Sequence, residues 1–366
     1  MVIRSEDVRD VGFFVFAGGW FVVFLPTAAS SRAAYDHPWR GHPDGRAAGV
    51  ESGAGGLVKR GHMTQQSSIE TQASGTAAAT AFLRALAACD PREEIRGKDD
   101  LAEIFLEERQ TGPLKDPAQR TWVMQNQLSP GAYEFMIART AFFDRIFAQA
   151  LTANLEQVVL LGAGYDSRPY RFKELIQATR IFEVDALPTQ QRKQACLQQA
   201  GISISPHISF VPINFETDSL QEVLLAADLR RESRTLFIWE GVSYYLSGAA
   251  VDNVLACVRS LSPAGSSIGF DYAVVSAEVF NDAGVQELRK LMRSRHADKP
   301  TRFGFRAGTI DAFLNERGFQ VIEHLTAADM NERYLALDRY SDVGRVLPLF
   351  GLVHAGVMAD QPNRLA

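Results

Sequence analysis

The chain has 366 residues, of which 46% are hydrophobic in type, enough for one large domain or two small ones with a sizeable core. A formal net charge of −5 and a pI near 5.9 give no electrostatic reason to expect nucleic-acid binding. The three cysteines, Cys89, Cys196 and Cys257, are odd in number and far apart, so they fit a reducing, cytoplasmic compartment better than a disulfide framework. The histidines show no metal-ligand spacing, so no metal site is expected.

The first 62 residues differ in composition from the rest. Residues 11–25 form an apolar run that is short for a membrane span, and Glu6, Asp7 and Asp10 precede it where a signal peptide would carry net positive charge. A stretch rich in Gly, Ala, Arg, His and Pro follows, without helical or strand periodicity. We therefore expect residues 1–62 to be an extension that the folded protein does not need, with no stable membrane association. A weak membrane anchor at 11–25 is the alternative.

The pattern beyond Met63 predicts helices followed by a sheet. The helical stretches 76–89, 99–109 and 131–152 precede any strand, and we expect them to form a lid over about 76–152. Strands are expected near 157–161, 180–184, 208–213, 235–239 and 266–271, alternating with helices near 169–178, 187–200, 217–228 and 247–260. A helical insert near 275–296, a helix near 308–317, a strand at 319–325 and an apolar run at 347–359 follow. The alternation predicts a doubly wound, mostly parallel α/β sheet of Rossmann-like type with its core at about 157–359.

The turn after the first strand carries the strongest functional signal. The apolar run 158–161 breaks into Gly162 and Gly164, and Asp166 follows. Glycines let the backbone contact a ligand, and the next helix offers N–H groups to an anion. A dinucleotide fingerprint would need a third glycine where Ser167 stands. The Asp166 carboxylate instead can accept a hydrogen bond from an α-ammonium group, such as that of S-adenosylmethionine. A tight turn without a ligand is the alternative.

Polar or aromatic residues also follow the next three strands. Asp185 ends the second strand, where an acid can bind both hydroxyls of a ribose. Asn214 and Phe215 follow the third, where an amide can bind the edge of an adenine and a ring can pack on its face. Glu240 ends the fourth. Because parallel strands bring their carboxyl ends to one edge of a sheet, a single nucleotide-type cofactor site explains all four positions.

These segments resemble the leucine carboxyl methyltransferase-like family of S-adenosylmethionine-dependent methyltransferases, over about 76–359. The resemblance rests on LLGAGYDSRPYR at the glycine turn, FEVD at the second strand, WEGVSYYL after the fourth and ARTAFFDRIF before the first. It implies a seven-stranded class I methyltransferase fold whose last two strands form a reversed hairpin edge, and S-adenosyl-L-methionine as cofactor. It also implies that Arg139 contacts the cofactor's carboxylate and that Arg84, in TAAATAFLRAL, makes a second basic contact. Asn214 departs from the aspartate that the family commonly has at the adenine edge.

The resemblance further implies O-methylation of a small molecule that bears a carboxylate or a hydroxyl. The sulfonium already makes the methyl group electrophilic, so the protein must align an acceptor oxygen and exclude water. A carboxylate is ionised at neutral pH and needs no general base, whereas a hydroxyl does. Tyr244 and Tyr245 follow Glu240 and are the candidate catalytic residues that would position the acceptor. Aromatic packing beneath the lid is the alternative for both.

Three other functions remain open on the sequence. One is methylation of a protein's C-terminal carboxylate, which the family's eukaryotic members perform. Another is an NAD-dependent oxidoreductase, which Ser167 in place of a glycine disfavours. The third is a methyltransferase-like binding protein without catalysis, which the intact set of cofactor residues disfavours. The arginines of the segment 275–306 could recognise an acidic substrate, with a solvated helix face as the alternative. The sequence predicts no oligomeric state.

Overall fold

The computed structural model describes residues 74–215, 217–294, 303–335, 339–340 and 344–359. Its centre is a seven-stranded sheet in the order β3-β2-β1-β4-β5-β7-β6. The strands are β1 (Gln157–Leu161), β2 (Arg180–Asp185), β3 (Ile208–Pro212), β4 (Thr235–Trp239), β5 (Ser267–Ala273), β6 (Phe319–Leu325) and β7 (Phe350–Val357). β1 to β5 pair in parallel, and β7 runs antiparallel to both β5 and β6. The predicted doubly wound sheet with a reversed hairpin edge is confirmed. The expected extension at 1–62 lies outside the described residues.

Twelve α-helices are described in these parts of the chain. They are α1 (Gly75–Ala88), α2 (Gly112–Lys115), α3 (Pro117–Asn126), α4 (Ala132–Thr152), α5 (Arg168–Arg171), α6 (Leu187–Gln199), α7 (Leu220–Ala226), α8 (Gly248–Leu261), α9 (Ala277–Asn281), α10 (Ala283–Ser294), α11 (Ile310–Asn315) and α12 (Ala327–Tyr334). Short 3₁₀ turns lie at Ala102–Phe105, Glu108–Gln110, Lys173–Leu175 and Ser243–Tyr245. None of the described helices is long and apolar enough to cross a membrane.

Helices cover both faces of the sheet. Along β1, Val158 and Leu160 belong to one apolar cluster, and Val159 and Leu161 belong to the other. The first cluster includes side chains from α1, α4 and α6, and the second includes side chains from α7, α8 and α11. All residues of β1 and β4 are buried, which is why these strands are continuous apolar runs in the sequence. The polar side chains of these two strands, Gln157 and Thr235, stand at their first positions.

Helix α4 crosses the first face of the sheet and brings polar side chains to the ends of the strands. Its close approach to β5 depends on Gly269, where an added Cβ would lie 2.5 Å from the Ile146 Cδ1 atom. Phe142 and Phe143 on the same helix are fully buried. This packing holds Arg139 and Asp144, both buried, in fixed positions.

The segment 99–109 was expected to be an α-helix, and that expectation is wrong. The structure has two 3₁₀ turns there, separated by extended backbone at Glu107, whose φ and ψ are −78° and 151°. Glu107 and Gln110 form a capping box that begins the second turn, and this local bonding replaces a continuous helix. The Asp99 side chain at the start of the segment bonds to Arg84 and Ser167. The segment is therefore fixed by side-chain contacts more than by helical periodicity.

Two further differences follow from caps and prolines. The helix expected at 275–296 is divided into α9 and α10 at Asp282, whose carboxylate accepts a hydrogen bond from the Val285 N–H at 2.9 Å. Helices α2, α3 and α12 were not predicted from the sequence. Helix α3 begins at Pro117, a favourable first position, and a capping box of Thr326 and Asp329 begins α12.

Candidate active site

A pocket of about 380 Å³ opens at the carboxyl edge of the sheet, beside the point where the strand order reverses between β1 and β4. Open parallel sheets bind ligands at such switch points. Its walls come from α1, the glycine turn after β1, the ends of β2 and β4, and α4. The ionisable and glycine residues that line it include Arg84, Asp99, Arg139, Gly162, Gly164, Asp166, Arg168, Arg171, Asp185 and Glu240, with Phe215 and Tyr245 as aromatic neighbours.

The glycine turn requires glycine on both backbone and packing grounds. Gly162 and Gly164 have φ values of 69° and 45°, in the left-handed region. An added Cβ would lie 2.7 Å from the Val242 Cγ2 atom at the first position and 3.2 Å from the Ala77 Cβ atom at the second. The turn is thus held between the loop after β4 and helix α1. Its backbone is the part that faces the pocket.

Asp185 is fixed at the end of β2 by two backbone donors. Its Oδ2 atom accepts the Gly164 N–H at 2.6 Å, and its Oδ1 atom accepts the Ala186 N–H at 2.7 Å. Burial raises the pKa of Asp185, and these two hydrogen bonds oppose the rise. Each carboxylate oxygen can accept more than one hydrogen bond, so the group can still bind ligand hydroxyls.

The two predicted residues after β3 are placed differently. Phe215 lines the pocket and is 45% exposed, so its ring is available to a ligand. Asn214 is not among the lining residues, and its backbone N–H donates to the Asp218 carboxylate at 2.8 Å. Of the two residues predicted to bind adenine, Phe215 thus lines the pocket and Asn214 does not.

Arginines and carboxylates form a continuous buried network around the pocket. We call it the arginine–carboxylate network; its members are Arg84, Asp99, Arg171, Asp144, Arg168, Asp166, Glu240, Arg139 and Asp271. Buried charges are costly unless they are paired and hydrogen-bonded. Each member has at least one partner of opposite charge, so the network can hold ionised groups at the pocket wall.

Arg168 is at the centre of the network. Its Nε, Nη1 and Nη2 atoms donate to Asp144 at 2.9 Å, to Asp166 at 2.6 Å and to Glu240 at 2.5 Å. Burial opposes the charge of Arg168, but the three carboxylates raise its pKa above the usual value. Burial likewise opposes the charge of Asp166, yet the Arg168 guanidinium holds the pKa of that carboxyl below its usual value. Both side chains are therefore ionised at neutral pH.

Arg139 links Glu240, which follows β4, to Asp271 within β5. Its Nε atom lies 3.0 Å from Glu240 Oε1, and its Nη1 atom donates to Asp271 Oδ2 at 3.1 Å. The other oxygen of Asp271 accepts the Gly241 N–H at 2.7 Å. Burial raises the pKa of Asp271, and Arg139 opposes the rise. Asp271 thereby fixes both the arginine and the loop that follows β4.

Arg84 brings α1 into the same network. It donates to Asp99 at 2.7 Å and to the Tyr165 carbonyl oxygen at 2.7 Å. Arg171 lies between Asp99, at 3.3 Å, and Asp144, which accepts two hydrogen bonds from it at 2.7 Å each. The first helix is therefore tied to the glycine turn by charged contacts as well as by apolar packing.

The two predicted catalytic tyrosines differ in exposure to the pocket. Tyr245 lines it, whereas Tyr244 is buried, with its ring centroid 4.6 Å from that of Tyr245 and 5.4 Å from that of Phe350. Burial raises the pKa of both tyrosines above the usual value. Each phenol therefore keeps its proton at neutral pH. Tyr245 can contact a ligand directly, and Tyr244 packs behind it.

Comparison with known proteins decides the family. The model of the family described as leucine carboxyl methyltransferase matches residues 77–259, half of the chain. A candidate S-adenosyl-L-methionine-dependent methyltransferase of Bacillus subtilis (strain 168) is 32% identical over 219 residues, which cover 59% of this chain and 69% of that protein. The chain belongs to the leucine carboxyl methyltransferase family. It is accordingly an S-adenosyl-L-methionine-dependent methyltransferase.

Other relatives share part of their length with this methyltransferase. A candidate S-adenosyl-L-methionine-dependent methyltransferase of Mycobacterium avium (strain 104) is 30% identical over 228 residues, which cover 60% of this chain and 68% of that protein. The solved structure of a candidate methyltransferase from Thermobifida fusca YX is 17% identical, with a TM-score of 0.48, and covers 76% of this chain and 94% of the other.

The methyltransferase brings most of the predicted site residues to one pocket. All of them line it except Tyr244 and Asn214. No role was predicted from the sequence for five members of the arginine–carboxylate network, which are Asp99, Asp144, Arg168, Arg171 and Asp271. A signal existed for two of them: Arg168 stands two residues after Asp166, and Asp271 is a charged residue inside the otherwise apolar strand β5. A charge at a buried strand position indicates an ion-pair partner.

Proposed function

We propose that this methyltransferase transfers a methyl group from S-adenosyl-L-methionine to a carboxylate or hydroxyl oxygen of a small molecule, and that a carboxylate is the favoured acceptor. The observation that carries the proposal is a pocket at the switch point of the sheet that combines a glycine cradle, an acid at the end of β2 and paired acids and arginines opposite. This combination matches the parts of the cofactor, which has a ribose, a cationic methionine end and a carboxylate.

The residues fit the cofactor part by part. The Gly162 and Gly164 backbone would lie against the ligand, Asp185 would accept from the ribose hydroxyls, and Phe215 would pack on the adenine. Asp166 would accept a hydrogen bond from the α-ammonium group. Arg84 and Arg139 would attract the carboxylate, as the family resemblance implies. The cofactor supplies an electrophilic methyl group. Helix α1, which packs on the glycine turn, would act as part of a lid that excludes water.

The chemistry of the pocket supports an acceptor that arrives ionised. Among its described lining residues there is no histidine or lysine, and Tyr245 holds its proton. The carboxylate of Asp166 is ion-paired with a lowered pKa, so it is a weak base. A carboxylate acceptor needs no base, because it is already ionised at neutral pH. The Tyr245 hydroxyl could donate a hydrogen bond that orients it.

The proposal can be tested with methyl-labelled S-adenosyl-L-methionine and two matched acceptor panels. One panel contains carboxylic acids, and the other contains the corresponding alcohols and phenols. We expect label transfer to the acids, with products that release methanol in mild alkali, as methyl esters do. Label recovered only in alkali-stable ethers would contradict the carboxylate acceptor. Tight cofactor binding in calorimetry without transfer to either panel would favour a binding protein.

A second candidate is methylation of a protein's C-terminal carboxylate, which the description of the family favours. It uses the same ionised acceptor group and differs in how much of the acceptor the enzyme must contact. Peptides that end in a free leucine carboxylate, with C-terminally amidated peptides as controls, separate the two. Labelling of free-acid peptides, with small acids unlabelled, would establish this candidate and contradict the small-molecule acceptor.

A further inference from the structure

Two acids at the pocket share one buried cation. Arg168, whose side chain is 3% exposed, binds Asp166 with one terminal nitrogen and Glu240 with the other. The two carboxylates therefore lie on neighbouring edges of a single guanidinium group. Asp166 belongs to the glycine turn, and Glu240 directly follows β4. The arginine thus connects the two sides of the pocket.

Without a cation between them, two mostly buried carboxylates that share one partner would repel each other, and one would take up a proton. Glu240 has a second partner, since Arg139 lies 3.0 Å from its Oε1 atom. For Asp166, Arg168 is the one ion-pair partner found among the described residues. Asp166 is therefore the acid whose charge depends on Arg168.

We propose that Arg168 is a positioning residue that keeps Asp166 ionised and aimed into the pocket together with Glu240, so that two carboxylates face the cationic methionine end of S-adenosyl-L-methionine. The inference rests on the proposed function, because it takes that ligand as the occupant. Arg168 acts through Asp166 and Glu240. It also fixes the main chain, since its own N–H donates to Asp166 Oδ1 at 2.9 Å at the start of α5.

The other charged groups around Asp166 cannot replace this arginine. Lys193 of α6 and Arg84 of α1 act on it through space, but each has a closer acid of its own. Lys193 Nζ binds Glu183 at 2.5 Å, and Arg84 binds Asp99 at 2.7 Å. Loss of Arg168 therefore leaves Asp166, whose side chain is only 13% exposed, without a direct cation.

Further charged groups surround Arg168 and Glu240. From α4, Asp144 and Arg139 face them, and from β5, Asp271 lies beyond Arg139. The Phe143 ring packs under the Arg168 guanidinium, 5.6 Å from its centroid. All of these groups are retained when Arg168 alone is changed, so a change in pH dependence would report on Arg168.

The experiment measures S-adenosyl-L-methionine affinity by calorimetry between pH 8 and pH 6 in the full chain. Each affinity is expressed relative to the wild type at the same pH, so that the ligand's own titration cancels. In Arg168→Met we expect affinity to fall about tenfold more than in the wild type across this range. Burial without a counter-ion raises a carboxyl pKa by up to about 3–5 units, into this range, and the ionised fraction then falls by up to tenfold for each pH unit below the pKa. The direction follows from a raised pKa of Asp166, which is protonated as the pH falls. Arg168→Lys should recover part of the loss.

Two further variants make the result specific. Arg171→Met removes another buried arginine that binds Asp144 and Asp99 but not Asp166, and we expect it to lose stability without a new pH dependence. Adding Asp166→Asn to Arg168→Met should abolish the pH dependence, because the titrating group is gone. A folded Arg168→Met protein whose affinity runs parallel to the wild type at every pH would overturn the proposal.

Asp166→Asn alone gives an answer even if Arg168→Met fails to fold, as judged by circular dichroism. We expect it to fold and to bind S-adenosyl-L-methionine about tenfold more weakly at all pH values, since a charged acceptor is lost. Wild-type affinity in Asp166→Asn would overturn the inference. Absence of binding in the wild type would instead contradict the proposed function, so the two failures are distinguishable.

Discussion

Replacement of Asp185 by alanine tests the cofactor site at the acid that ends β2. In the structure the carboxylate already bonds to the N–H groups of Gly164 and Ala186, and it would also accept from the ligand's ribose hydroxyls. The alanine variant therefore loses a ligand contact and a support of the glycine turn together. The variant Asp185→Asn keeps an oxygen that can accept the Gly164 N–H but loses the charge. The two variants separate the two effects.

The size of the effect follows from the bonds that are lost. A hydrogen bond to a charged group in a partly buried site contributes about 1.5–3 kcal/mol, and a neutral one contributes about 1 kcal/mol. We therefore expect Asp185→Ala to weaken S-adenosyl-L-methionine binding by about 1–3 kcal/mol, which is about 5-fold to 150-fold in Kd. Asp185→Asn should lie between the alanine variant and the wild type, because the turn keeps its support.

Titration calorimetry at neutral pH measures the affinities, and thermal melting shows whether each variant is folded. The matched control is Asp228→Ala, which removes an exposed aspartate that pairs with Arg180 away from the pocket. The control should bind like the wild type. An unchanged Kd for a folded Asp185→Ala protein would remove Asp185 from the cofactor site and refute the assignment of the β2 end as the ribose position.

Four other outcomes are expected. Gly162→Val should abolish cofactor binding in calorimetry, since its positive φ and the nearby Val242 side chain leave no room for a Cβ; wild-type affinity would contradict this. Tyr245→Phe should lower kcat/KM for the acceptor about tenfold with unchanged cofactor affinity, and equal loss of both would argue against acceptor positioning. Burial lowers the pKa of His354 to about 4, below its unfolded value of about 6.5. The stability that this difference contributes is therefore complete above pH 6.5, and up to about 3 kcal/mol of it is lost as the pH falls toward 4. In denaturant melts at pH 5 and pH 7, His354→Gln should lose less stability on acidification than the wild type. A chain that begins at Met63 should bind S-adenosyl-L-methionine with unchanged affinity, and a tenfold loss would show that the preceding residues belong to the fold.

The strands could be predicted from the sequence because a strand that is buried on both faces of the sheet consists of consecutive apolar residues. β1 and β4 were expected at the residues where they are found, since each is a continuous apolar run bounded by polar or glycine residues. The segment 99–109 has no comparable local pattern that indicates its structure. Its 3₁₀ turns are fixed by the Glu107 and Gln110 capping box and by the contact between Asp99 and Arg84, which are 15 residues apart. Local periodicity does not report contacts of that kind.

The residues of the site likewise divide into those that the sequence could predict and those that only tertiary packing fixes. Gly162, Asp185 and Glu240 were predictable because parallel strands bring their carboxyl ends to one edge, so position in the sequence implies proximity. Asp144 was not predictable, because a polar residue on a long helix can face either solvent or protein. Only tertiary packing decides which side it faces. Helix α4 turns Asp144 toward Arg168 and Arg171, and the close packing of Ile146 against Gly269 fixes that rotation.

The arginine–carboxylate network couples the stability of the fold to the binding site. Its acids come from α4, the glycine turn, the residue that follows β4, β5 and the segment before the first 3₁₀ turn, so its ion pairs join most walls of the pocket but do not reach the end of β2. Removal of one partner from a buried ion pair leaves an uncompensated charge, which costs about 3–5 kcal/mol. Variants in the network will therefore lose stability whether or not they contact the ligand. For this reason a change of pH dependence, and not a loss of affinity alone, identifies the residues that act on the cofactor.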